Sequence, residues 1–283
     1  MSRVSVAKTY KQYIGGAFVR SESGRTMLKH GNTVCQGSRK DVRDAVAAAR
    51  AAFPGWSGRT AYNRGQILYR IAEMLEARCD EFARVIAHES QTGLKASQQE
   101  VATSIDRLVY YAGWADKYTA VLGSVNPVAD RYFGFTFPEP TGVVGIVADD
   151  VPLLALVSQL APVIASGNTA IVLASEEAPA TACIFAEVLE TSDLPGGVVN
   201  VLTGLRSELM NVLAKHQDVN AMDCPLGDRE LVPEIRDQGA ENLKRLRFTE
   251  SQSRAQWQKS SNQGVGQIEA FVEYKSVWHP VGV

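Results

Sequence analysis

The sequence has few cysteines, and they lie far apart. Cys35, Cys79, Cys183 and Cys224 form no CxxC pair, which argues against a zinc ribbon and against a disulfide-dense secreted domain. No uncharged run approaches the length of a membrane span, and the first residues lack the apolar core of a signal peptide. We therefore expect a cytoplasmic protein without a membrane partner.

Neither sign of charge predominates. The chain has 29 Lys and Arg against 31 Asp and Glu, without long runs of either sign. This balance argues against nucleic acid as the main partner. The four histidines, His30, His88, His216 and His279, show no paired ligand spacing, so we predict no metal site.

The chain is long enough to bury a full core, with 283 residues of which 45% are apolar. Residues 10–28 alternate around two glycine turns, which indicates an N-terminal β-hairpin. Apolar residues then recur at helical spacing over 38–53, 60–89 and 97–122. Ser38, followed by Asp41, predicts a capping box at the first of these helices.

From residue 142 onward, short apolar runs alternate with helical patterns. The runs are GVVGIVA, TAIVL, GVVNVL, VNAMD and LKRLRF, and the helical patterns cover 152–165, 179–190, 207–215 and 228–238. Repeated strand–helix units of this length require parallel strands with right-handed crossovers. The sequence therefore predicts an α/β fold with a Rossmann-type doubly wound parallel sheet, which binds ligands beyond the carboxyl ends of its strands.

The composition changes again near the end of the chain. Residues 249–266 are polar and contain glycine, as is typical of a linker, and residues 267–283 alternate like a strand with no neighbour in sequence. We predict one domain over 1–248, a linker over 249–266 and a C-terminal oligomerisation strand over 267–283. Such a strand must pair elsewhere in the fold or on another subunit.

Several ordered segments resemble the aldehyde dehydrogenase superfamily. They include AVAAARAAFPGWSGRTAYNRGQILYRIAEMLEARCDEFARVIAHESQTG, YYAGWADK, EPTGVVGIV, APVIASGNT, LPGGVVNVLTG and the final EYKSVW. The resemblance implies a cofactor domain for NAD or NADP, normally followed by a catalytic domain. With its departures and its tail, the chain most resembles the non-catalytic second half of the family 16 aldehyde dehydrogenases.

The motifs of the family's catalytic domain do not occur. The sequence contains neither the Glu-Leu-Gly-Gly-Lys segment nor the Gly-Gln-x-Cys nucleophile, so we expect the catalytic domain to be missing and predict no catalytic residues. The family's oxyanion-binding asparagine follows the first strand, where this chain has ADDV. A carboxylate at Asp149 or Asp150 would repel a developing oxyanion.

The cofactor positions are altered as well. By resemblance, Ser175, Glu176 and Gly204 form a degenerate cofactor site, whereas the family's lysine before them is absent and Arg206 stands at a glycine position. Leu226 stands where backbone amides should approach a phosphate, and its bulk should block the usual pose. We therefore expect no bound cofactor, with NAD or NADP as the alternative.

Simpler roles compete with several of these assignments. Asp149 and Asp150 are expected to be solvated or to cap the following helix rather than to hold a divalent cation. Glu176 binds a ribose or caps the helix near Pro179. Cys224 is expected to be structural rather than a displaced nucleophile.

Two functional hypotheses follow. The preferred one is a non-catalytic aldehyde-dehydrogenase-like subunit that stabilises or regulates an active enzyme. It would do so as a homo-oligomer, or as a hetero-oligomer with a full-length aldehyde dehydrogenase through the C-terminal strand. The alternative is an NAD(P)-binding oxidoreductase with residual or altered activity on aldehydes. A truncated, functionless gene product is a weaker third hypothesis.

Overall fold

The computed structural model describes residue 4 and residues 6–282, apart from the side chains of residues 226–228. The strands are β1 (Thr9–Tyr10), β2 (Gln12–Ile14), β3 (Ala17–Val19), β4 (Thr26–Lys29), β5 (Asn32–Cys35), β6 (Ser124–Asn126), β7 (Tyr132–Pro140), β8 (Val143–Val147), β9 (Thr169–Leu173), β10 (Val199–Leu202), β11 (Ala221–Pro225), β12 (Arg245–Thr249) and β13 (Val272–Pro280). The α-helices are α1 (Arg39–Ser57), α2 (Ala61–Glu76), α3 (Cys79–Ser90), α4 (Leu94–Ala112), α5 (Tyr118–Leu122), α6 (Leu154–Ala165), α7 (Pro179–Glu190), α8 (Arg206–Lys215), α9 (Val232–Ala240), α10 (Arg254–Trp257) and α11 (Val265–Glu269).

The main sheet has seven strands in the order β12-β11-β8-β9-β10-β2-β3. The five strands β8 to β12 run parallel, and the β2–β3 hairpin extends the sheet antiparallel to β10. The direction of winding reverses between β8 and β11, which is the switch point where doubly wound sheets bind ligands. The predicted fold class is therefore confirmed.

Helices cover both faces of this sheet. As a result, β8, β9, β10 and β11 are buried along their whole length. Helices α1, α8 and α9 pack on one face and α6 and α7 on the other, while α2, α3 and α4 form a further layer outside α6 and α7. Every residue of α6 is buried between the sheet and this outer layer. Each face has its own hydrophobic core.

The C-terminal strand finds its partner within the chain. β13 pairs antiparallel with β7 over nine residues, from Val272 opposite Pro140 to Pro280 opposite Tyr132. Together with β6 these strands form a separate three-stranded sheet in the order β13-β7-β6, and β1, β5 and β4 form another. Residues 267–271 precede β13 and belong partly to α11, so the strand begins later than predicted.

The segment 249–266 is not the linker that its composition suggested. It contains α10, a 3-10 turn at Ser260–Asn262 and the start of α11. Trp257 is 7% exposed and packs with Val151 and Leu154. A polar segment becomes ordered here because one buried indole and several hydrogen bonds fix it to the body of the domain.

Two of the predicted helices are each divided. The pattern over 60–89 forms α2 and α3, which separate at Arg78, whose guanidinium pairs with Glu81 and Glu187. The pattern over 97–122 forms α4 and α5. The predicted capping box is confirmed, since Ser38 and Asp41 satisfy each other's backbone at the start of α1. Among the described residues, no helix is both long enough and apolar enough to cross a bilayer.

Candidate functional site

The loops after β8, β9 and β10 meet at the carboxyl edge of the main sheet, beside the switch point. In a doubly wound sheet this is where a dinucleotide lies, with its pyrophosphate at a helix N-terminus. We refer to the residues at this edge as the carboxyl-edge site. It comprises Asp149, Asp150, Ser175, Glu176, Gly204 and Arg206.

The guanidinium of Arg206 lies across the ends of β8 and β9. Its Nη2 is 2.8 Å from Oδ1 of Asp150 and also donates to the carbonyl oxygen of Ala148. The Ser175 hydroxyl donates to the same Asp150 oxygen at 2.8 Å. The Arg206 side chain is only 11% exposed, so the chain's own ion pair occupies this part of the edge.

Glu176 binds the first turn of α8. Its carboxylate accepts a hydrogen bond from the backbone N–H of Arg206, the first residue of that helix. A helix N-terminus carries unpaired N–H groups and a partial positive charge, and both favour a carboxylate there. Glu176 thus caps α8 and not the helix near Pro179, which corrects the second role considered for it.

Gly204 lies where its own segment passes close to the segment that contains Gly37, and a larger residue would not fit there. Its φ is +154°, and an added Cβ would lie 2.9 Å from Leu209 Cδ1 and 3.1 Å from the backbone nitrogen of Gly37. That nitrogen donates to the Thr203 carbonyl oxygen at 2.6 Å. Packing against the segment after β5 therefore accounts for this glycine without a ligand.

Asp149 is neither solvated nor a cap of the following helix. It is 4% exposed, and its Oδ2 accepts hydrogen bonds from the Trp257 indole N–H at 3.1 Å and from the Gln252 backbone N–H at 2.8 Å. Its other oxygen accepts from the Asp150 backbone N–H at 2.9 Å. Its neighbour Asp150 pairs with Arg206, so the two adjacent acids serve different elements.

Residues 250–264, which we call the closing segment, lie against the carboxyl-edge site and α4. Arg254 Nε is 2.6 Å from Oε2 of Glu100, a carboxylate with no exposed surface. The Arg107 guanidinium donates to the carbonyl oxygens of Trp257, at 3.1 Å, and Asn262. Burial lowers the pKa of Arg107, and the neighbouring Tyr111 and Tyr110 act in the opposite direction.

Two buried glutamates from the outer helices cap the helices of the inner layer. Glu100 accepts from the backbone N–H groups of Leu153 and Leu154 at the start of α6, at 2.9 and 3.2 Å. Glu89 accepts from the N–H groups of Ala180 and Thr181 in α7, both at 2.8 Å. Burial raises the pKa of Glu89, and these hydrogen bonds to its carboxylate act in the opposite direction.

The sequence contains a signal for these anchors that reasoning from apolar spacing missed. Polar residues recur every three or four positions on the buried face of α4, namely Ser97, Glu100, Ser104 and Arg107. A polar stripe at helical spacing inside an otherwise amphipathic helix indicates a hydrogen-bonded interface with other elements. Trp257 is a second signal in the sequence, because a single tryptophan within a polar segment indicates that the segment packs against the domain.

The remaining candidate residues are packed against other side chains of the domain. Cys224 is buried in β11 within the core cluster on the α1–α8 face. Tyr110 packs its ring against Tyr111 and Trp114. The prediction about Leu226 falls on a side chain outside the described residues.

Metal ligands do not cluster in the part of the chain that the structure describes: it contains no group of three His, Cys, Asp or Glu side chains suited to an ion. His30 and His88 are neighbours, with ring centroids 6.4 Å apart. His30 Nε2 forms a hydrogen bond with the Glu177 carbonyl oxygen, which links the β4–β5 turn to the segment after β9. His88 Nε2, on α3, forms a hydrogen bond with the His30 carbonyl oxygen of that turn.

The residues at the carboxyl edge do not fit a dinucleotide in the pose that the resemblance implies. The N–H at the start of α8 is taken by Glu176, the space over β8 and β9 holds the Arg206 side chain, and Asp150 adds negative charge. A pyrophosphate at this helix N-terminus would have to displace a carboxylate that already satisfies it.

Fold and site together define a doubly wound α/β domain of the dinucleotide-binding class whose ligand edge is closed by its own side chains. Residues 28–250 match the model of the aldehyde dehydrogenase family. The chain belongs to the aldehyde dehydrogenase family.

Individual relatives agree with this assignment. The chain is 34% identical over 231 residues to cytosolic 10-formyltetrahydrofolate dehydrogenase of Mus musculus, covering 77% of this chain and 26% of that protein. It is 30% identical over 249 residues to the putative aldehyde dehydrogenase DhaS of Bacillus subtilis, covering 84% of this chain and 50% of that protein.

Among solved structures, an NAD+ complex of an aldehyde dehydrogenase from Bacillus cereus matches with a TM-score of 0.80 and 26% identity, covering 85% of this chain and 50% of that one. The chain therefore spans half the length, or less, of these relatives.

Proposed function

We propose that this chain is a non-catalytic aldehyde-dehydrogenase-like subunit that associates with an active aldehyde dehydrogenase and stabilises or regulates it. One observation carries the proposal: the carboxyl-edge site is closed by the ion pair of Arg206 with Asp150 and by the buried Asp149. These side chains satisfy each other's charge and hydrogen-bonding groups, so they stabilise the domain and are not available to a ligand.

The chemistry expected of the family is also opposed at this edge. Aldehyde oxidation through a thioester develops negative charge on the substrate oxygen, which requires hydrogen-bond donors. By resemblance Asp149 and Asp150 stand near the position of the oxyanion-binding asparagine, and carboxylate oxygens accept hydrogen bonds instead of donating them. The same edge therefore supports a structural role.

The three-stranded sheet β13-β7-β6 is the surface that supports association. Phe133, Phe135 and Phe137 follow one another along one face of β7, with ring centroids 5.7 and 6.0 Å apart. On β13, Trp278 is 64% and Tyr274 47% exposed. Exposed aromatic rings on an edge strand are typical of surfaces that bind another chain.

The proposal has two experimental arms. Purified chain should give no NAD- or NADP-dependent oxidation of aldehydes, and robust turnover would refute a non-catalytic role. Affinity capture of the tagged chain from its native cell extract should recover a full-length aldehyde dehydrogenase in stoichiometric amount. Recovery of the chain alone would remove the support for a companion subunit.

A matched pair of variants assigns the surface. Trp278→Glu, on β13, should reduce capture of the partner at least several-fold because it places a charge in an apolar contact. Tyr62→Glu, on α2, changes a side chain that is equally open to solvent, at 68% exposure, and should leave capture unchanged. Equal loss in both variants would argue against the β13 sheet as the contact.

A second candidate function is NAD(P) binding with residual or altered oxidoreductase activity. It is favoured by the positions of Ser175 and Glu176, which follow β9 where the resemblance places ribose ligands. Binding would require the Arg206 side chain to move. Calorimetric titration with NAD and NADP tests it, and the absence of heat and of thermal stabilisation at millimolar nucleotide would exclude it.

A further inference from the structure

A cleft of about 560 Å³ lies between the first turn of α1 and the last turn of α8. We call it the basic cleft. Its cationic side chains are Arg39, Lys40, Arg43 and Lys215. His216 also lines the cleft, and the lining residues include no carboxylate. Its size is that of a small-molecule site, since such sites commonly enclose roughly 300–1,000 Å³.

Two cations of the basic cleft pair with exposed carboxylates, and the other two form no ion pair with a residue in the described part of the chain. Lys40 forms an ion pair with Glu22, and Arg43 with its neighbour Asp44, all with side chains at least 46% exposed. Exposed pairs of this kind hold their partners weakly and exchange them readily. Arg39 and Lys215 form no ion pair with any residue that the structure describes.

The fold brings these charges together from two separate helices. Ser38 and Asp41 start α1 with a capping box, so Arg39 and Lys40 stand in its first turn, where the helix dipole is positive. α8 packs beside α1 on the same face of the sheet and contributes Lys215 from its last turn. Cations on the convex face of a single helix point away from one another into solvent. The cations of the basic cleft come from two helices and line one concave surface, so that they can contact the same ligand.

A buried lysine contacts the backbone of His216, one of the residues that line the basic cleft. Lys244 is 7% exposed and its Nζ donates to the His216 carbonyl oxygen at 3.0 Å. Burial lowers the pKa of His216, and the charges of Lys244 and Arg50 lower it further, against the opposing carboxylate of Asp218.

We propose that the basic cleft binds a phosphorylated small molecule that carries at least two negative charges. Guanidinium and ammonium groups bind phosphate oxygens through charge-assisted hydrogen bonds, and arginine can do so with two parallel bonds. This site is separate from the carboxyl-edge site and does not depend on the proposed function of the chain.

The test is calorimetric titration of the full chain with inorganic pyrophosphate. Arg39→Gln combined with Lys215→Gln should weaken binding roughly ten-fold or more, because two charge-assisted contacts are lost. The matched control is Arg84→Gln combined with Lys95→Gln, which removes the same charge from exposed positions outside the cleft. The control should change the affinity less than about two-fold, the residual long-range effect of net charge.

Three results would overturn the proposal. The first is the absence of binding heat when the wild-type chain is titrated with millimolar pyrophosphate. The cleft variant and the control variant could lose affinity equally, which would indicate general attraction to net charge. Inorganic sulfate could bind as tightly as pyrophosphate, which would show that the basic cleft attracts any divalent anion and is not built for a phosphorylated ligand. Circular dichroism melting of each variant confirms that the compared proteins are folded.

Discussion

The carboxylate of Asp149 accepts a hydrogen bond from the indole N–H of Trp257, 108 residues further along the chain, at 3.1 Å. This contact links the end of the first parallel strand to the closing segment. It joins the position where the family resemblance predicts catalytic chemistry to a segment that composition alone describes as a linker.

Removing the indole donor should destabilise the domain. Trp257→Phe keeps most of the buried ring but leaves Asp149 with one partner fewer, which should reduce the free energy of unfolding by about 1–3 kcal/mol. Urea denaturation followed by circular dichroism measures the change. Trp278→Phe, at an exposed ring, should stay within about 0.5 kcal/mol of wild type, and an equal loss in both variants would contradict the role of the Asp149 contact.

The buried pair of Glu100 and Arg254 should be costly to break. Glu100→Gln removes the charge that Arg254 Nε meets at 2.6 Å and weakens the cap on α6. Loss of one partner of a buried pair typically costs about 3–5 kcal/mol. Glu139→Gln, which breaks the exposed pair with Lys275, should cost less than about 1 kcal/mol. The midpoints of urea unfolding at an unchanged slope compare the two variants.

Opening the carboxyl-edge site should change its response to nucleotide. Arg206→Gly removes the guanidinium that lies over β8 and β9 and restores the residue type of the family. If Arg206 is the main obstacle, NAD in roughly ten-fold excess over its dissociation constant should raise the melting temperature of this variant by about 2–4 °C. Wild type should show no shift at the same NAD concentration.

Arg25→Gly is the control for that experiment. It removes a guanidinium that pairs with Glu208 in the same helix but outside the carboxyl-edge site. An NAD-dependent shift in this variant would mean that loosening of α8, and not clearance of the site, permits binding. A shift in neither variant would place the block at Asp150 and Glu176 instead.

Lys244 should give the domain a specific pH dependence. Burial lowers the pKa of this amine to about 8 from its ordinary value of 10.5. Between these values the unfolded chain binds the proton more fully than the folded chain, so the contribution of Lys244 to stability rises with pH across this window. Below pH 8 both states are protonated and the contribution is constant.

The matched variant for this effect is Lys244→Met. The stability of wild type relative to the variant should rise by roughly 2 kcal/mol between pH 8 and 10.5. Urea unfolding at three pH values in this range measures the difference, and the titration of tyrosines and exposed lysines is common to both proteins. A flat difference would show that the Lys244 amine keeps an ordinary pKa when folded.

The sequence by itself determined the fold class, because the signals that specify it are local. The alternation of apolar runs and helical patterns after residue 142 requires parallel strands with crossovers, and Ser38 with Asp41 defines a helix start within four residues. The family could likewise be recognised from segments that occur in the same order as in its members. Each of these features depends on residues that are close in sequence and on the number of residues between them.

Only the tertiary structure decided the state of the candidate site. Asp149 binds Trp257, Asp150 binds the Arg206 guanidinium, Glu100 binds Arg254 and Glu176 binds the Arg206 backbone, and these contacts span 30 to 154 residues of sequence. The sequence alone does not distinguish a carboxylate that meets water from one that meets a cation or a helix terminus. β13 likewise needed β7 to be in place before its register was defined. Long-range pairing of charges and strands depends on how the layers close over one another, which no local pattern in the sequence encodes.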